Sequence, residues 1–193
     1  MTATAPPDPF AADPAPPVVA RYRAADGRAE LTLRAPVWLD GSWWTCLERS
    51  FRSGAGFLAP HRHETTDEVH FVREGTVRYL HRHRLRKATA GDVVVIPAGS
   101  VHTDPWATRD GAVTVTTLLR PAAPEWLTFG LRLGRLTREG PLTRRGQPPL
   151  PVVMDVVHQT GADILAAGLP TRLQRHLTTP MVAAVGRRVW SAT

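Results

Sequence analysis

Between residues 29 and 119 the sequence is a succession of short strand-like segments separated by turn residues. Apolar and polar residues alternate over 30–34 and again over 68–72, as expected for strands with one buried face. Asp40 and Gly41 lie between two such segments and favour a hairpin turn. Eight or more segments of this kind, with no helical period among them, predict an all-β sandwich or barrel.

A histidine-rich stretch inside this region carries the residues most suited to chemistry. One residue separates His61 from His63, so in a strand both imidazoles project from the same face. Glu68 begins the next alternating segment, and His102 lies further along the chain. Imidazoles and a carboxylate that converge from neighbouring strands suit a divalent transition metal, with His102 as a fourth ligand. The alternative is a solvated surface loop, since the chain has eight histidines.

Glycine and proline residues stand at defined positions around these histidines. Gly75 follows Glu68, and a second group comprises Gly91, Pro97, Gly99 and His102. The arrangement resembles the two sequence motifs of the cupin superfamily. In these motifs glycine, His-x-His, glutamate and glycine are followed by glycine, Pro-x-Gly and histidine. The resemblance covers roughly residues 54–106.

Two positions depart from the cupin pattern. Ala55 stands where the first motif opens with glycine, although Gly54 and Gly56 flank it, and Trp106 stands where the second motif closes with asparagine. Neither departure is at a ligand position. The resemblance therefore implies a cupin double-stranded β-helix, which is a small jelly-roll barrel. It also implies one metal ion inside the barrel, held by His61, His63, Glu68 and His102.

The implied ligand set consists of three neutral imidazoles and one carboxylate. Such a set suits Fe(II), Mn(II), Ni(II), Co(II), Cu(II) or Zn(II) and does not choose among them. Four protein ligands leave one or two positions open in a five- or six-coordinate metal, as in a catalytic site rather than a closed structural one. A phenolate, enolate or carboxylate oxygen of a substrate could bind there.

Two further residues are candidates for catalytic roles. His70 lies two residues after Glu68 and shares its face by alternation. It would support a ligand, act as an acid or base, or be a hydrogen-bonded core histidine. Asp104 lies two residues after His102 and would orient a ligand or cap a turn.

Tryptophan residues are candidates for the walls of the cavity. Trp106 and one of Trp43 or Trp44 would face the metal, and aromatic walls favour a flat, mainly apolar ligand. The alternative is that these tryptophans belong to the barrel core.

A second His-x-His pair, formed by His81 and His83, lies in a strongly basic stretch. It has no carboxylate or glycine at matching spacing. The sequence therefore predicts a solvated turn here rather than a second metal site.

The segments on either side of the barrel differ from it in composition and period. Residues 1–20 contain six prolines and are predicted to form a disordered Pro/Ala-rich tail. The predicted barrel covers residues 29–120, and residues 121–193 are predicted to be a helical extension. In that extension Trp126, Phe129 and Leu133 recur at helical spacing. Its apolar face is expected to cover an open barrel end or to form a homodimer contact.

Composition limits the compartment and the partners. Cys46 is the only cysteine, so no internal disulfide is possible, and a structural thiol is favoured over a nucleophile. The chain carries neither a signal peptide nor an apolar run that could cross a membrane, and a cytoplasmic protein is expected. The net charge of +7 comes from scattered arginines, which favour a solvated surface over nucleic-acid binding.

The layout of one barrel with a leader and a helical tail resembles bacterial cupins of aromatic and polyketide secondary metabolism. Those include quinone-forming monooxygenases, quercetin-type dioxygenases and polyketide cyclases. The resemblance implies a metal-dependent oxygenase that oxidises an electron-rich phenolic or enolic small molecule with dioxygen. The alternatives are a non-redox cyclase or isomerase, in which His70 or Asp104 moves the proton, and a ligand-binding or regulatory cupin without turnover.

Overall fold

The computed structural model describes residues 5–11, 15–52, 59–108, 111–140, 142–143, 147–168, 170–174, 176 and 181–186. The glycines expected near the start of the first motif, Gly54 and Gly56, lie outside these ranges, as does Ala55. Within them, ten strands follow one another from Val18 to Arg120, and the helices come afterwards. The predicted all-β barrel with a C-terminal helical extension is confirmed.

The elements have the following bounds. The strands are β1 (Val18–Arg23), β2 (Ala29–Leu39), β3 (Ser42–Phe51), β4 (His61–Arg62), β5 (Asp67–Glu74), β6 (Thr76–His81), β7 (Arg84–Thr89), β8 (Val93–Ile96), β9 (Trp106–Ala107), β10 (Val113–Arg120) and β11 (Leu165–Ala166). The helices are α1 (Pro124–Glu139), α2 (Leu150–Thr160) and α3 (Thr171–Leu173), and residues 181–186 are also helical.

Antiparallel pairing builds a large and a small sheet that share one apolar core. The large sheet has the strand order β1-β2-β3-β10-β5-β8, and the small one has the order β7-β6-β9. A third pair joins β4 to β11. The core contains buried residues from the large sheet and from the small sheet: Phe51, Val72, Val77, Tyr79, Ala88, Val94, Ile96, Ala107, Val113 and Val115.

Alternation along β5 separates the two faces of the large sheet. Val69 and Phe71 pack on its outer face in a cluster with Trp44, Cys46 and Leu118. Glu68 and His70, which alternate with them along the strand, point to the inside of the barrel. Burial raises the pKa of Cys46 to about 12, so its thiolate is not populated near neutral pH. This placement agrees with the predicted structural thiol.

Part of the predicted N-terminal tail lies on the outer face of the large sheet. The Phe10 ring lies 4.7 Å from each of the guanidinium groups of Arg34 and Arg73, and the carboxylate of Asp8 forms an ion pair with Arg73. Strand β1 begins at Val18 and pairs with β2. The predicted boundaries of the tail at residue 20 and of the barrel at residue 29 are therefore corrected, because edge pairing and these cation–π contacts extend the ordered domain towards the N-terminus.

Helix α1 lies close against the sheet, and two glycines allow this approach. A Cβ atom at Gly130 would stand 2.6 Å from a methyl group of Leu33, and one at Gly134 would stand 2.1 Å from the ring of Tyr22. The buried residues Trp126 and Phe129 of the same helix pack in a cluster with α2. In the described ranges, no helix is both long enough and apolar enough to span a membrane.

Candidate metal centre

The four predicted ligands come from separate segments that meet at one end of the barrel interior. His61 lies in β4, His63 follows it, Glu68 lies in β5, and His102 comes from the turn after β8. The backbone N–H of His61 donates to the carbonyl oxygen of His102 at 2.8 Å, and the N–H of His102 donates back at 2.9 Å. The two sequence motifs are therefore joined by a short antiparallel bridge.

The donor atoms form a compact and buried cluster. The ligand atoms of His61, His63, Glu68 and His102 all lie within 4.8 Å of one another, and no residue of the four is more than 4% exposed. The Oε2 atom of Glu68 lies 2.8 Å from Nε2 of His102 and 3.3 Å from Nε2 of His63. The structure therefore brings together all four residues in an arrangement that could hold a metal ion.

Backbone carbonyl groups set the orientation of all three imidazoles. A carbonyl oxygen can only accept a hydrogen bond, so each Nδ1 carries a hydrogen, and in the neutral ring the lone pair is then on Nε2. The acceptors are the carbonyl oxygens of Ala59 for His61, of Asp163 for His63 and of Ser100 for His102. This tautomer is the one that coordinates a metal through Nε2.

The protonation states also favour a cation. Burial, together with the nearby His102 and His63, lowers the pKa of His61 to about 3. Burial alone would raise the pKa of Glu68, but the charge of His70 and the hydrogen bonds from His102 and His63 hold it well below its usual value. Near neutral pH the cluster therefore has an anionic carboxylate and an unprotonated His61. Burial alone would lower the pKa of His102, but the hydrogen bond and the charge of Glu68 raise it, so a metal ion that binds there would displace a proton from this imidazole.

His70 occupies the position that alternation predicts, on the same face as Glu68. Its Nε2 atom lies 3.5 Å from Oε1 of Glu68, and its Nδ1 atom lies 3.0 Å from the hydroxyl oxygen of Thr117. Burial lowers the pKa of His70 to about 4. The side chain therefore contacts the candidate ligand Glu68, and its catalytic role stays a prediction.

Asp104 also points inward, but its partner is a residue that the sequence did not single out. Its Oδ2 atom accepts a hydrogen bond of 2.7 Å from Arg49 in β3. Burial would raise the pKa of Asp104, but the guanidinium charge of Arg49 holds it below its usual value. Leu47 and Phe51 flank Arg49 at the period of a strand face, so an arginine in an apolar row was the available signal. The catalytic role of Asp104 stays a prediction.

The tryptophan beside the ligands differs from those expected. The indole ring of Trp126 in α1 lies 5.2 Å from the His63 ring, edge to face. Trp44 instead packs on the outer face of the large sheet, Trp43 is 53% exposed, and Trp106 packs against the main core. None of these three tryptophans lines the cavity beside the ligands. The packing of Trp44 and Trp106 agrees with the alternative that these tryptophans belong to the apolar core.

The C-terminal extension completes the support of the His61–His63 segment. Strand β11 pairs with β4, which places Ala166 opposite His61. The carboxylate of Asp163 accepts hydrogen bonds from the backbone N–H groups of Glu64 at 3.1 Å and Thr65 at 2.8 Å. Asp163 therefore anchors the turn after His63 with its side chain and His63 itself with its carbonyl. Sequence spacing gives no signal for this contact, since the two residues are 100 positions apart.

Replacement of Asp163 by alanine is expected to weaken metal binding by about 10–100-fold, the range typical for residues that orient ligands. The turn at 64–65 loses its anchor while every ligand stays present. The affinity for Co(II) would be measured by competition with a chromophoric chelator. Asp163→Asn, which keeps one acceptor oxygen, should recover part of the loss. Asp26→Ala, in the exposed β1–β2 turn, is the control, and equal affinities for all variants would contradict the prediction.

The second His-x-His pair is divided between a strand and a turn. Arg82 and His83 form the tight connection between β6 and β7, with φ values of 50° and 63°, and both are exposed. His81 is the last residue of β6, is half-buried and forms a β-bridge with His102. The predicted solvated turn is therefore confirmed for Arg82 and His83 but not for His81.

Comparison with known protein families gives one match, which covers part of the chain. The sequence model described as a cupin domain matches residues 49–117. The search of curated proteins gives no match. Among solved structures, the chain is similar to KdgF from Halomonas sp., with 17% identity, a TM-score of 0.42, and coverage of 54% of this chain and 89% of that one.

Two further similar structures have other descriptions. The capsular polysaccharide assembling protein CapF from Staphylococcus aureus is 18% identical, with a TM-score of 0.44 and coverage of 56% of this chain and 32% of that one. The DMSP lyase DddQ from Ruegeria pomeroyi is 20% identical, with a TM-score of 0.38 and coverage of 52% of each chain.

Proposed function

Because residues 49–117 match the sequence model described as a cupin domain, we propose that this chain is a metal-dependent oxygenase. The substrate is an electron-rich phenolic or enolic small molecule, and dioxygen is the co-substrate. One observation carries the proposal: three imidazoles and one carboxylate are buried together, and three of these four side chains face a cavity. His61, His63 and Glu68 line that cavity beside apolar residues of α1.

The donor set fits a divalent transition metal. Three nitrogen donors and one carboxylate oxygen suit Fe, Mn, Co, Ni, Cu or Zn better than Mg or Ca, which prefer oxygen ligands. When bound, such an ion would supply Lewis-acid activation, and a redox-active one would also support dioxygen chemistry. Glu68 balances only one of the two positive charges, so an electron-rich substrate oxygen is electrostatically favoured nearby.

The chain's own residues orient the centre and limit its access to water. The carbonyl groups of Ala59, Ser100 and Asp163 hold the imidazoles, and the side chains of Trp126, Phe129 and Leu133 form an apolar wall of the cavity. A dry enclosure strengthens electrostatic interactions and protects reactive intermediates from hydrolysis.

A non-redox cyclase or isomerase is the second candidate, and it rests on a different observation. Glu68, His70 and Asp104 place their polar atoms within 4.8 Å of one another beside the cavity. Buried groups of this kind can hold or move a proton next to a polarised carbonyl.

The test combines metal analysis with oxygen-electrode assays. The purified chain is loaded in turn with Fe(II), Mn(II), Co(II), Ni(II), Cu(II) and Zn(II) and assayed with a panel of polyphenols and enolic polyketides. We expect substrate-dependent oxygen uptake that falls to background in His61→Ala and after treatment with a chelator. Uptake that survives both treatments would overturn the proposal. Turnover without oxygen, most rapid with Zn(II), would replace it with the non-redox function.

A further inference from the structure

The cavity next to the candidate ligands is too small for an organic substrate. Its volume is about 50 Å³, and its walls are formed by the inner face of the large sheet and by Trp126, Phe129 and Leu133 of α1. One water molecule occupies about 30 Å³ of liquid, whereas small-molecule pockets measure about 300–1,000 Å³. This inner chamber therefore has room for dioxygen or one to two waters.

A second, larger cavity lies on the other side of Trp126. Its volume is about 420 Å³, and its walls include Thr65 and Thr66 from the β4–β5 connection, the first turn of α1, and residues 161–165. This outer pocket falls within the size range of small-molecule sites. It shares two described wall residues with the inner chamber, Trp126 and Ile164.

Trp126 is the larger part of this partition, and its side chain is held mostly by packing. It is 4% exposed, and its ring lies 5.2 Å from that of His63 and 6.0 Å from that of Phe129. The described hydrogen bond of its indole N–H goes to the hydroxyl of Thr66 and is long, at 3.4 Å. This long hydrogen bond adds little energy to the packing that holds the side chain in the wall between the two cavities.

The charge of the outer pocket differs from that of the whole chain. The net charge is +7, yet the described residues that line the pocket include Glu125, Asp163 and His158 and no lysine or arginine. A carboxylate or phosphate would therefore meet two carboxylates and no permanently charged cation on these walls. The pocket suits a molecule that is uncharged or carries an amine.

We propose that the outer pocket holds the body of the substrate, an uncharged or amine-bearing small molecule, and that Trp126 controls the passage of its reacting group to the metal centre. The proposal rests on the metal-dependent function given above and extends it to the class of substrate. The wall shared by the two cavities and the absence of lysine and arginine among the described lining residues carry the inference.

The first experiment tests the partition with two metal ligands of different size. The full chain is loaded with Co(II), its metal content is measured, and azide and 4-phenylimidazole are titrated while the visible Co(II) spectrum is recorded. Azide should bind wild type and Trp126→Ala with affinities equal within about threefold, whereas 4-phenylimidazole should bind the variant at least tenfold more tightly, roughly 1.4 kcal/mol or more. Trp126→Phe should be intermediate, and Trp43→Ala, an exposed tryptophan, should match wild type.

The second experiment tests the charge preference of the outer pocket. Binding of phenethylamine and phenylacetate, which differ mainly in charge, is measured by calorimetry on the metal-loaded chain. The amine should bind at least tenfold more tightly, and Glu125→Lys should remove that difference. Glu125→Gln, which keeps the size of the side chain, should give an intermediate ratio.

The outcomes separate this inference from the proposed function. Equal 4-phenylimidazole affinities for wild type and Trp126→Ala would overturn the partition, and tighter binding of phenylacetate, or binding of neither compound, would overturn the substrate class. If the chain takes up no Co(II), the proposed metal centre is wrong, and so is the proposed passage to it. Failure to consume oxygen would overturn the oxygenase alone and leave both binding results standing.

Discussion

His102→Ala is expected to abolish tight metal binding and all metal-dependent activity. His102 is fully buried, its Nε2 lies 2.8 Å from the Glu68 carboxylate, and its backbone joins the second motif to His61. The variant loses one of four donors and leaves the buried carboxylate with one partner fewer. Loss of a residue that only orients a ligand lowers metal affinity by up to about 100-fold. Loss of the ligand His102 itself should lower the affinity for the metal ion by more than this. Bound metal would be measured by elemental analysis after dialysis.

The control for this prediction is a histidine outside the centre. His83→Asn changes an exposed turn residue with a positive φ, which asparagine tolerates, and it should keep the full metal content. The circular dichroism spectrum of His102→Ala must match that of wild type, which shows that the variant is folded. His61→Ala provides a second variant that lacks one candidate ligand. Full metal content in a folded His102→Ala protein would contradict the assignment of this residue as a ligand.

Gly75→Ala is expected to destabilise the protein by roughly 2–5 kcal/mol, because two costs add. Gly75 has a φ value of 76° at the point where the chain passes from β5 in the large sheet to β6 in the small one. A Cβ atom there would stand 2.2 Å from the carbonyl oxygen of Ala112 and 3.0 Å from a methyl group of Val113. The left-handed backbone of residue 75 and the clash of the new Cβ with Ala112 and Val113 can be relieved together only if the start of β10 shifts. Urea unfolding followed by circular dichroism measures the loss.

Gly27→Ala separates the two costs. Gly27 has a φ value of 66°, but a Cβ atom there would have no neighbour within 4 Å. This variant should lose only the backbone term, about 1–2 kcal/mol. If both variants lost the same free energy of unfolding, the close approach of Ala112 would not constrain the native backbone at Gly75.

The strand pattern was readable from the sequence because it is local. Side chains alternate along β5, so the sequence itself placed Glu68 and His70 on one face and Val69 and Phe71 on the other. Turn residues marked the ends of the strands for the same reason, since a positive φ is a property of single residues such as Gly75. The N-terminal boundary was less accurate, because cation–π contacts of Phe10 with arginines from distant strands decide it.

The sequence by itself predicted the all-β class through local alternation, and its resemblance to the cupin motifs predicted the barrel and the four candidate ligands. Only the tertiary structure decided what surrounds those ligands. Arg49 as the partner of Asp104, Asp163 as the anchor of the turn after His63, and Trp126 as the wall beside His63 all come from segments 55 to 100 residues away or from a separate helix. Such contacts depend on how α1 and β11 dock on the barrel, and no local periodicity encodes that docking.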